Sequence, residues 1–116
     1  MRILVICFIN VLEVEIMTKE QVQMKAFQII AAAGDAFGHY YNAVKEVKKG
    51  NLDEALELIK EGDNCIKEAH QVQTDLIHAE VMKEEVPVSL ILTHSQDHLL
   101  QAMTWEKIAK LLTGFE

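Results

Sequence analysis

Residues 86–100 read VPVSLILTHSQDHLL and hold the most informative pattern of the chain. Apolar residues surround two histidines, an amide and a carboxylate, which are His94, Gln96, Asp97 and His98. The stretch is typical of a helix, on which these four polar groups occupy about one and a half turns. Because burying them without partners would cost free energy, the pattern indicates a functional site.

The composition predicts one all-α domain. The chain has 116 residues, of which 50% are apolar and 25% are charged, as in globular proteins. It contains only five glycines and one proline, which are few for an all-β fold. Alanine, leucine, glutamate, lysine and glutamine are abundant, so the helix propensity is high throughout.

The charge and the cysteines exclude several classes of protein. A net charge of −7 argues against a nucleic-acid surface, which requires clustered lysine and arginine. Cys7 and Cys65 form no zinc-binding or CxxC pattern. We interpret them as reduced thiols of a cytoplasmic protein, with Cys65 as a small core residue.

The first sixteen residues differ from the rest of the chain. Residues 3–9 form an apolar run that is too short to span a bilayer. The run resembles the apolar part of a signal peptide, but Glu13 and Glu15 follow where a cleavage site would be expected. We therefore treat residues 1–16 as an N-terminal extension or a mis-assigned start with Met17 as the native first residue, and predict one domain over residues 17–116.

The first helix is predicted from Thr18 to the sequence KKG at residues 48–50. Thr18 and Gln21 have the spacing of a capping box, and the closing lysines and glycine suit a helix C-terminus. Its apolar residues recur every three or four positions, which is the spacing of a packed seam. They are Val22, Ala26, Ile29, Ala33, Ala36, Tyr40, Val44 and Val47.

The second helix is predicted from about Asn51 to residues 83–85, before Pro87, which restricts the residue that precedes it. Acidic residues follow Asn51 and suit a helix N-terminus. The predicted seam consists of Leu52, Leu56, Ile59, Ile66, Ile77 and Val81. Asp63, His70 and Gln73 lie on the same winding although they are polar.

The third helix is predicted from about Val88 almost to the end of the chain, and it has two faces. The predicted core face consists of Val88, Leu92, Ser95, Leu99, Ala102, Trp105, Ala109 and Leu112. A second stripe, which is partly apolar, consists of Leu90, His94, Asp97, Gln101, Thr104, Ile108 and Leu111. Short connections make neighbouring helices antiparallel, so we predict an up-down-up three-helix bundle. The second stripe suggests that such bundles associate with one another.

Two kinds of chemistry fit the polar cluster. The angular spacing on a helix puts His94, Asp97 and His98 on one side. One hypothesis is a metal-binding bundle in which His94 and His98 bind zinc or iron. The other is a histidine nucleophile, because a neutral imidazole can accept a phosphoryl group when nearby donors receive its charge. The uncharged donors available are His70, Gln73, Gln96 and His98.

A third hypothesis requires no chemistry. Each histidine could be partly exposed and satisfied by backbone or water, which is our interpretation of His39 and His78. The chain would then be a non-catalytic helical interaction module.

Four separate segments carry a family resemblance. Residues 89–100 (SLILTHSQDHLL), 32–36 (AAGDA), 50–55 (GNLDEA) and 68–74 (EAHQVQT) occur in order. Together they resemble the lactose/cellobiose-type enzyme IIA of the bacterial phosphoenolpyruvate-dependent sugar phosphotransferase system. The resemblance covers roughly residues 18–113. Thr93 and Ser95 depart from it, because family members more often have apolar or small residues there, and relatives usually continue the third helix beyond Glu116 into a basic tail.

The resemblance implies a concrete function. His94 would take a phosphoryl group from the phosphocarrier protein HPr and pass it to enzyme IIB, and membrane-bound enzyme IIC would use it on the incoming sugar. His70, Gln73, Gln96 and His98 would support this site. Family members are homotrimers, nine-helix bundles in which Asp97 would bind a divalent cation, Mg²⁺, on the trimer axis. Three neighbouring carboxylates repel one another, so a hard cation with oxygen ligands is a natural way to neutralise them.

Overall fold

The computed structural model describes residues 17–82 and 85–114, and within these residues it contains three α-helices and no β-strand. The helices are α1 (Lys19–Lys48), α2 (Leu52–Val81) and α3 (Leu90–Thr113). Asp63 of α2 contacts Lys110 of α3, whereas the later Gln73 contacts the earlier Gln96, so α2 and α3 are antiparallel. The predicted three-helix bundle is confirmed, and the prediction for residues 1–16 lies outside the described residues.

The predicted start of α1 is confirmed by its capping box. The Thr18 side chain accepts a hydrogen bond from the Gln21 backbone N–H at 3.1 Å, and the Gln21 side chain accepts one from the Thr18 backbone N–H at 2.9 Å. The helix ends at Lys48, and Gly50 follows with a φ of 83°, a left-handed conformation that glycine adopts without steric cost. A tight turn then starts α2 at Leu52.

The connection between α2 and α3 is longer than predicted. α2 ends at Val81 rather than at residues 83–85, and α3 begins at Leu90 rather than Val88. Ser89 sets the later start, because its side-chain oxygen accepts a hydrogen bond from the Leu92 backbone N–H at 3.2 Å and caps the helix. At its other end, α3 is terminated by Gly114 in the left-handed conformation.

The core follows the predicted α1 seam and includes many alanines. Every seam residue from Val22 to Tyr40 is buried, and Val44 and Val47 are half-buried. Alanine side chains let helix backbones approach closely, and α1, α2 and α3 each contribute some. The buried alanines are Ala26, Ala32, Ala33, Ala36, Ala43, Ala55, Ala69, Ala79, Ala102 and Ala109.

Several predicted core positions are wrong. Leu52, Ile77, Val81, Val88 and Leu112 are exposed, and Val88 is 86% accessible. A repeat of three and four residues drifts around an α-helix, so the predicted seams leave the core direction near the helix ends. Leu76 and Ala79 take the core positions of α2 instead of the more hydrophobic Ile77 and Val81.

Cys65, predicted as a small core residue, is half-buried and packs against the edge of the core. Burial raises the pKa of its thiol, and the negative charges of Asp35, Glu68 and Glu61 raise it further, so the thiolate form is disfavoured. Among the described helices, none is both long and apolar enough to cross a membrane.

Candidate functional site

His94 and His98 form a pair near the beginning of α3. The Nε2 atoms of the two rings lie 3.0 Å apart, and the rings meet nearly edge to face, with centroids 4.5 Å apart and an interplanar angle of 85°. Because each nitrogen can either donate or accept, one ring must donate its N–H to the other. His94 is exposed and His98 is half-buried, so the pair presents His94 to solvent.

A chain of hydrogen bonds connects α2 to α3 close to this pair. Gln73 donates from Nε2 to Oε1 of Gln96 at 2.6 Å, and Gln96 donates from Nε2 to Oγ of Ser95 at 3.1 Å. The Ser95 hydroxyl, which is fully buried, donates to the Leu92 carbonyl at 2.5 Å. The chain of bonds holds the Gln73–Gln96 amide pair in one orientation.

The predicted site residues therefore form two groups in a single chain. Gln96 lies two residues from His94, or about 200° around the helix, so the amide pair and the histidine pair occupy opposite sides of α3. His70 is half-buried one turn before Gln73, and within residues 17–82 and 85–114 it makes no hydrogen bond. Asp97 is exposed and lies between the two groups, on the second stripe.

A small cleft adjoins the amide pair between α2 and α3. It encloses about 200 Å³ and is walled mainly by apolar side chains. Its lining residues are Gln73, Leu76, Ile77, Glu80, Val86, Leu92 and Gln96. Since the cleft lies on the α2 side of α3, it does not open onto His94.

A metal site built by one chain finds no support in the described residues. Nowhere in these residues do three or more His, Cys, Asp or Glu side chains come together in a way that could hold a metal ion. Protein zinc sites use at least three protein ligands. His94 and His98 therefore lack a third ligand from the described part of their own chain.

Sequence reasoning missed a polar network in the middle of the bundle. The Tyr40 hydroxyl, which is fully buried, donates to Asp63 at 2.6 Å and also lies 3.1 Å from Oε2 of Glu106. Nζ of Lys110 lies 3.0 Å from Asp63 and 3.4 Å from Glu106. The four side chains join all three helices. The one signal of this network in the sequence was Asp63, a polar residue in the otherwise apolar seam of α2.

The network holds Tyr40 in its neutral form. Burial raises the pKa of Tyr40 well above its usual value, and the hydrogen bond to Asp63 and the charge of Glu106 raise it further. For Lys110, burial by itself would lower the pKa, but the hydrogen bond that its ammonium group donates to Asp63 and the charge of Glu106 outweigh the effect of burial, so the pKa is raised. At neutral pH the tyrosine therefore donates and the ammonium group stays charged.

Comparison with known proteins identifies the family. Residues 24–115 match the family described as "PTS system, Lactose/Cellobiose specific IIA subunit". The chain belongs to this family. It is 37% identical over 99 residues to the PTS system lactose-specific EIIA component of Staphylococcus aureus (strain N315). The aligned residues cover 85% of this chain and 96% of that relative.

Two solved structures have the same fold. The cellobiose-specific enzyme IIA of Bacillus anthracis superposes with a TM-score of 0.77 at 34% identity, covering 84% of this chain and 88% of that one. PtcA from S. mutans superposes with a TM-score of 0.81 at 31% identity, covering 85% and 98%. The chain is thus a IIA component of a sugar phosphotransferase system, and a phosphoryl carrier is favoured over a metal-binding bundle.

Proposed function

We propose that this IIA subunit accepts a phosphoryl group from HPr on His94 and passes it to enzyme IIB. The observation that carries the proposal is the exposed His94 ring, whose Nε2 lies 3.0 Å from Nε2 of His98. An exposed imidazole can be reached by two different partner proteins in turn, and its neighbour can fix its tautomer. Both properties suit a carrier that is loaded by one protein and unloaded by another.

The transfer needs no general base at His94. A ring nitrogen that bears a lone pair attacks phosphorus, the new N–P bond forms as the bond to the donor atom breaks, and the donor leaves with that electron pair. The other ring nitrogen keeps its proton, so phosphohistidine forms without releasing a proton. In the second step enzyme IIB attacks the same phosphorus and His94 is regenerated.

His98 is the supporting residue that the chain itself brings next to His94. Its Nε2–H can donate to His94 in the resting state or to a phosphoryl oxygen after transfer, which stabilises the negative charge there. His70, Gln73 and Gln96 offer uncharged donors as well, but they lie on the other side of α3. Their support of His94 therefore requires a contact that the single chain does not make.

The sugar class follows from the relatives. The similar proteins are named for lactose or for cellobiose, which are both disaccharides. We therefore propose that the phosphoryl group serves the uptake of a lactose- or cellobiose-type sugar through enzyme IIC, and that the carrier works in the cytoplasm.

We further propose a homotrimer that closes around the second stripe. Leu90 and Leu111 are 86% and 85% accessible in the single chain, and Asp97 is exposed between them. Three copies around one axis would cover these side chains and bring three Asp97 carboxylates together. Carboxylate oxygens suit a hard cation such as Mg²⁺, which would supply charge neutralisation on the axis and take no part in phosphoryl transfer.

The experiment is a reconstituted relay. The purified chain is incubated with enzyme I, HPr and phosphoenolpyruvate, and its mass is measured at neutral pH before and after enzyme IIB is added. We expect one phosphoryl group per chain, lost on addition of enzyme IIB, in the wild type and in the His78→Ala control, whose side chain is exposed on α2. No gain of mass in the wild type, with enzyme I and HPr shown to be active, would refute the proposal.

A further inference from the structure

The cleft between α2 and α3 lies at the end of the bundle where α1 begins. α1 and α2 are antiparallel, because the charge of Asp35 acts on Cys65 while Nδ1 of His39, further along α1, lies 3.3 Å from Oε2 of Glu61, which is earlier on α2. The last turns of α2 are therefore beside the first turns of α1. Ile77 lines the cleft on those last turns.

Apolar side chains surround this cleft and are exposed to solvent in the described chain. Ile77, Val81 and Val88 are each more than half accessible. Val81 follows Ile77 by one turn on a similar side of α2, and Val88 is two residues after Val86, which lines the cleft with Leu92. Apolar surface that extends from a cleft in this way is typical of a docking site.

The chain itself contains an apolar segment that can reach this surface. Residues 3–12 read ILVICFINVL and are apolar except for Asn10. They lie outside the described residues, which begin at Met17, a half-buried side chain packed against the core. Cys7, in the middle of the segment, precedes Met17 by ten residues, and ten extended residues span up to about 35 Å. The cleft is within that reach, because it lies at the same end of the bundle.

We propose that residues 3–12 dock over the cleft and the apolar side chains around it. A short tether gives the segment an effective concentration on the order of millimolar, which a separate partner would have to exceed. The charges agree as well, since Arg2 adjoins the segment and Glu80 lines the cleft. The cleft does not open onto His94, so the docked segment leaves the phosphoryl acceptor accessible.

Cys7 is a native reporter of this contact. The experiment uses the 116-residue chain with Cys65→Ser, so that Cys7 is the one remaining native thiol. A second thiol is introduced by Ile77→Cys, in the cleft, or by His78→Cys as the matched control. His78 is exposed at nearly the same level of α2, but it lies about 100° further around the helix and does not line the cleft. A disulfide forms only when the two Cβ atoms approach to about 4 Å, so its rate reports the contact.

The dilute proteins are oxidised gently, and the disulfide is followed by mass spectrometry of the intact chain and of its peptides. We expect Cys7 to form an intrachain disulfide about tenfold faster with Ile77→Cys than with His78→Cys, because docking raises the effective concentration at the cleft. Adding Ile6→Asp and Phe8→Asp to the Ile77→Cys chain should lower its rate to that of the control, since carboxylates do not suit an apolar cleft.

Three results would overturn the proposal. Equal rates for Ile77→Cys and His78→Cys would show that the segment does not prefer the cleft. A disulfide that joins two chains in dilute solution would make a second copy the occupant. An unchanged rate in the aspartate variant would show that apolar packing does not hold the segment. Phosphate uptake from HPr plays no part in these outcomes, so a failure of the proposed function would leave this test unaffected.

Discussion

The Nε2 atoms of His94 and His98 lie 3.0 Å apart on successive turns of α3. One proton lies between two nitrogens, so the tautomer of either ring fixes that of the other. We therefore expect His98 to position the His94 ring and to donate a hydrogen bond to a phosphoryl group on it. The role of His98 can therefore be tested by replacing His98 while His94 is kept.

Replacing His98 should slow phosphoryl transfer without abolishing it. We expect His98→Ala to lower the rate of phosphate uptake about 10²-fold, because a donor to the transferred group and the tautomer of His94 are both lost. His98→Gln, which retains an N–H donor, should recover part of the rate. Single-turnover uptake from phosphorylated HPr measures both. Equal rates in wild type and His98→Ala would remove His98 from the site.

Removing the Tyr40 hydroxyl should destabilise the bundle. We expect Tyr40→Phe to lower the free energy of unfolding by about 2 kcal/mol, because a buried hydrogen bond to a charged group is lost. Urea unfolding measures the difference. Tyr41→Phe is the matched control, since Tyr41 is 43% accessible, and it should change stability by less than about 0.5 kcal/mol.

The stability of the wild type and that of Tyr40→Phe should also respond differently to alkaline pH. The folded-state pKa of Tyr40 is raised above the usual value of 10.0, so its contribution is complete below pH 10 and falls as the pH rises further, when the unfolded chain ionises. The wild type should therefore lose stability above pH 10 more steeply than Tyr40→Phe. Parallel pH profiles for the two proteins would contradict this role of the network.

Gly62 should tolerate no side chain beneath Tyr40. A Cβ at Gly62 would lie 2.7 Å from Cε1 of the Tyr40 ring, whereas a Cβ at Gly34 would meet nothing within 4 Å. We expect Gly62→Ala to destabilise the protein by about 1–3 kcal/mol through overpacking. Gly34→Ala should instead stabilise it by up to about 1 kcal/mol, because alanine favours a helix. Thermal unfolding of the two variants should give shifts of opposite sign.

Asp97 should control metal content and assembly, and not phosphorylation chemistry. We expect Asp97→Ala to bind no stoichiometric divalent cation and to form a weaker trimer, because its axial ligands are lost. Metal analysis and sedimentation velocity measure these properties, and a chelator should weaken the wild-type trimer in the same way. Unchanged sedimentation and metal content in the variant would argue against an axial cation.

Local features of the fold could be predicted because they depend on nearby residues. The capping box of Thr18 and Gln21 is a relation over three residues, and the His94–His98 pair is a relation over four. Both are fixed by helix geometry alone. The core positions at Leu76 and Ala79 were missed, because the prediction favoured the more hydrophobic Ile77 and Val81. The path of the helix, and not the hydrophobicity of single residues, decides which side chain faces the core.

Features that join different helices could not be predicted in the same way. The Gln73–Gln96 bond and the network around Tyr40 depend on how far α2 and α3 are displaced along each other. Sequence spacing does not give that displacement. Gln96 was grouped with His94 because both are polar and close in sequence, although helix geometry alone separates their side chains by about 200°.

The central claim is that His94 receives the phosphoryl group, and the most direct test is to locate that group. The protein phosphorylated through enzyme I and HPr is digested at neutral pH, and the modified residue is found by tandem mass spectrometry. We predict a phosphoryl group on His94 and none on His98, His70, His39 or His78. A phosphoryl group on any of those residues, with His94 unmodified, would contradict the claim.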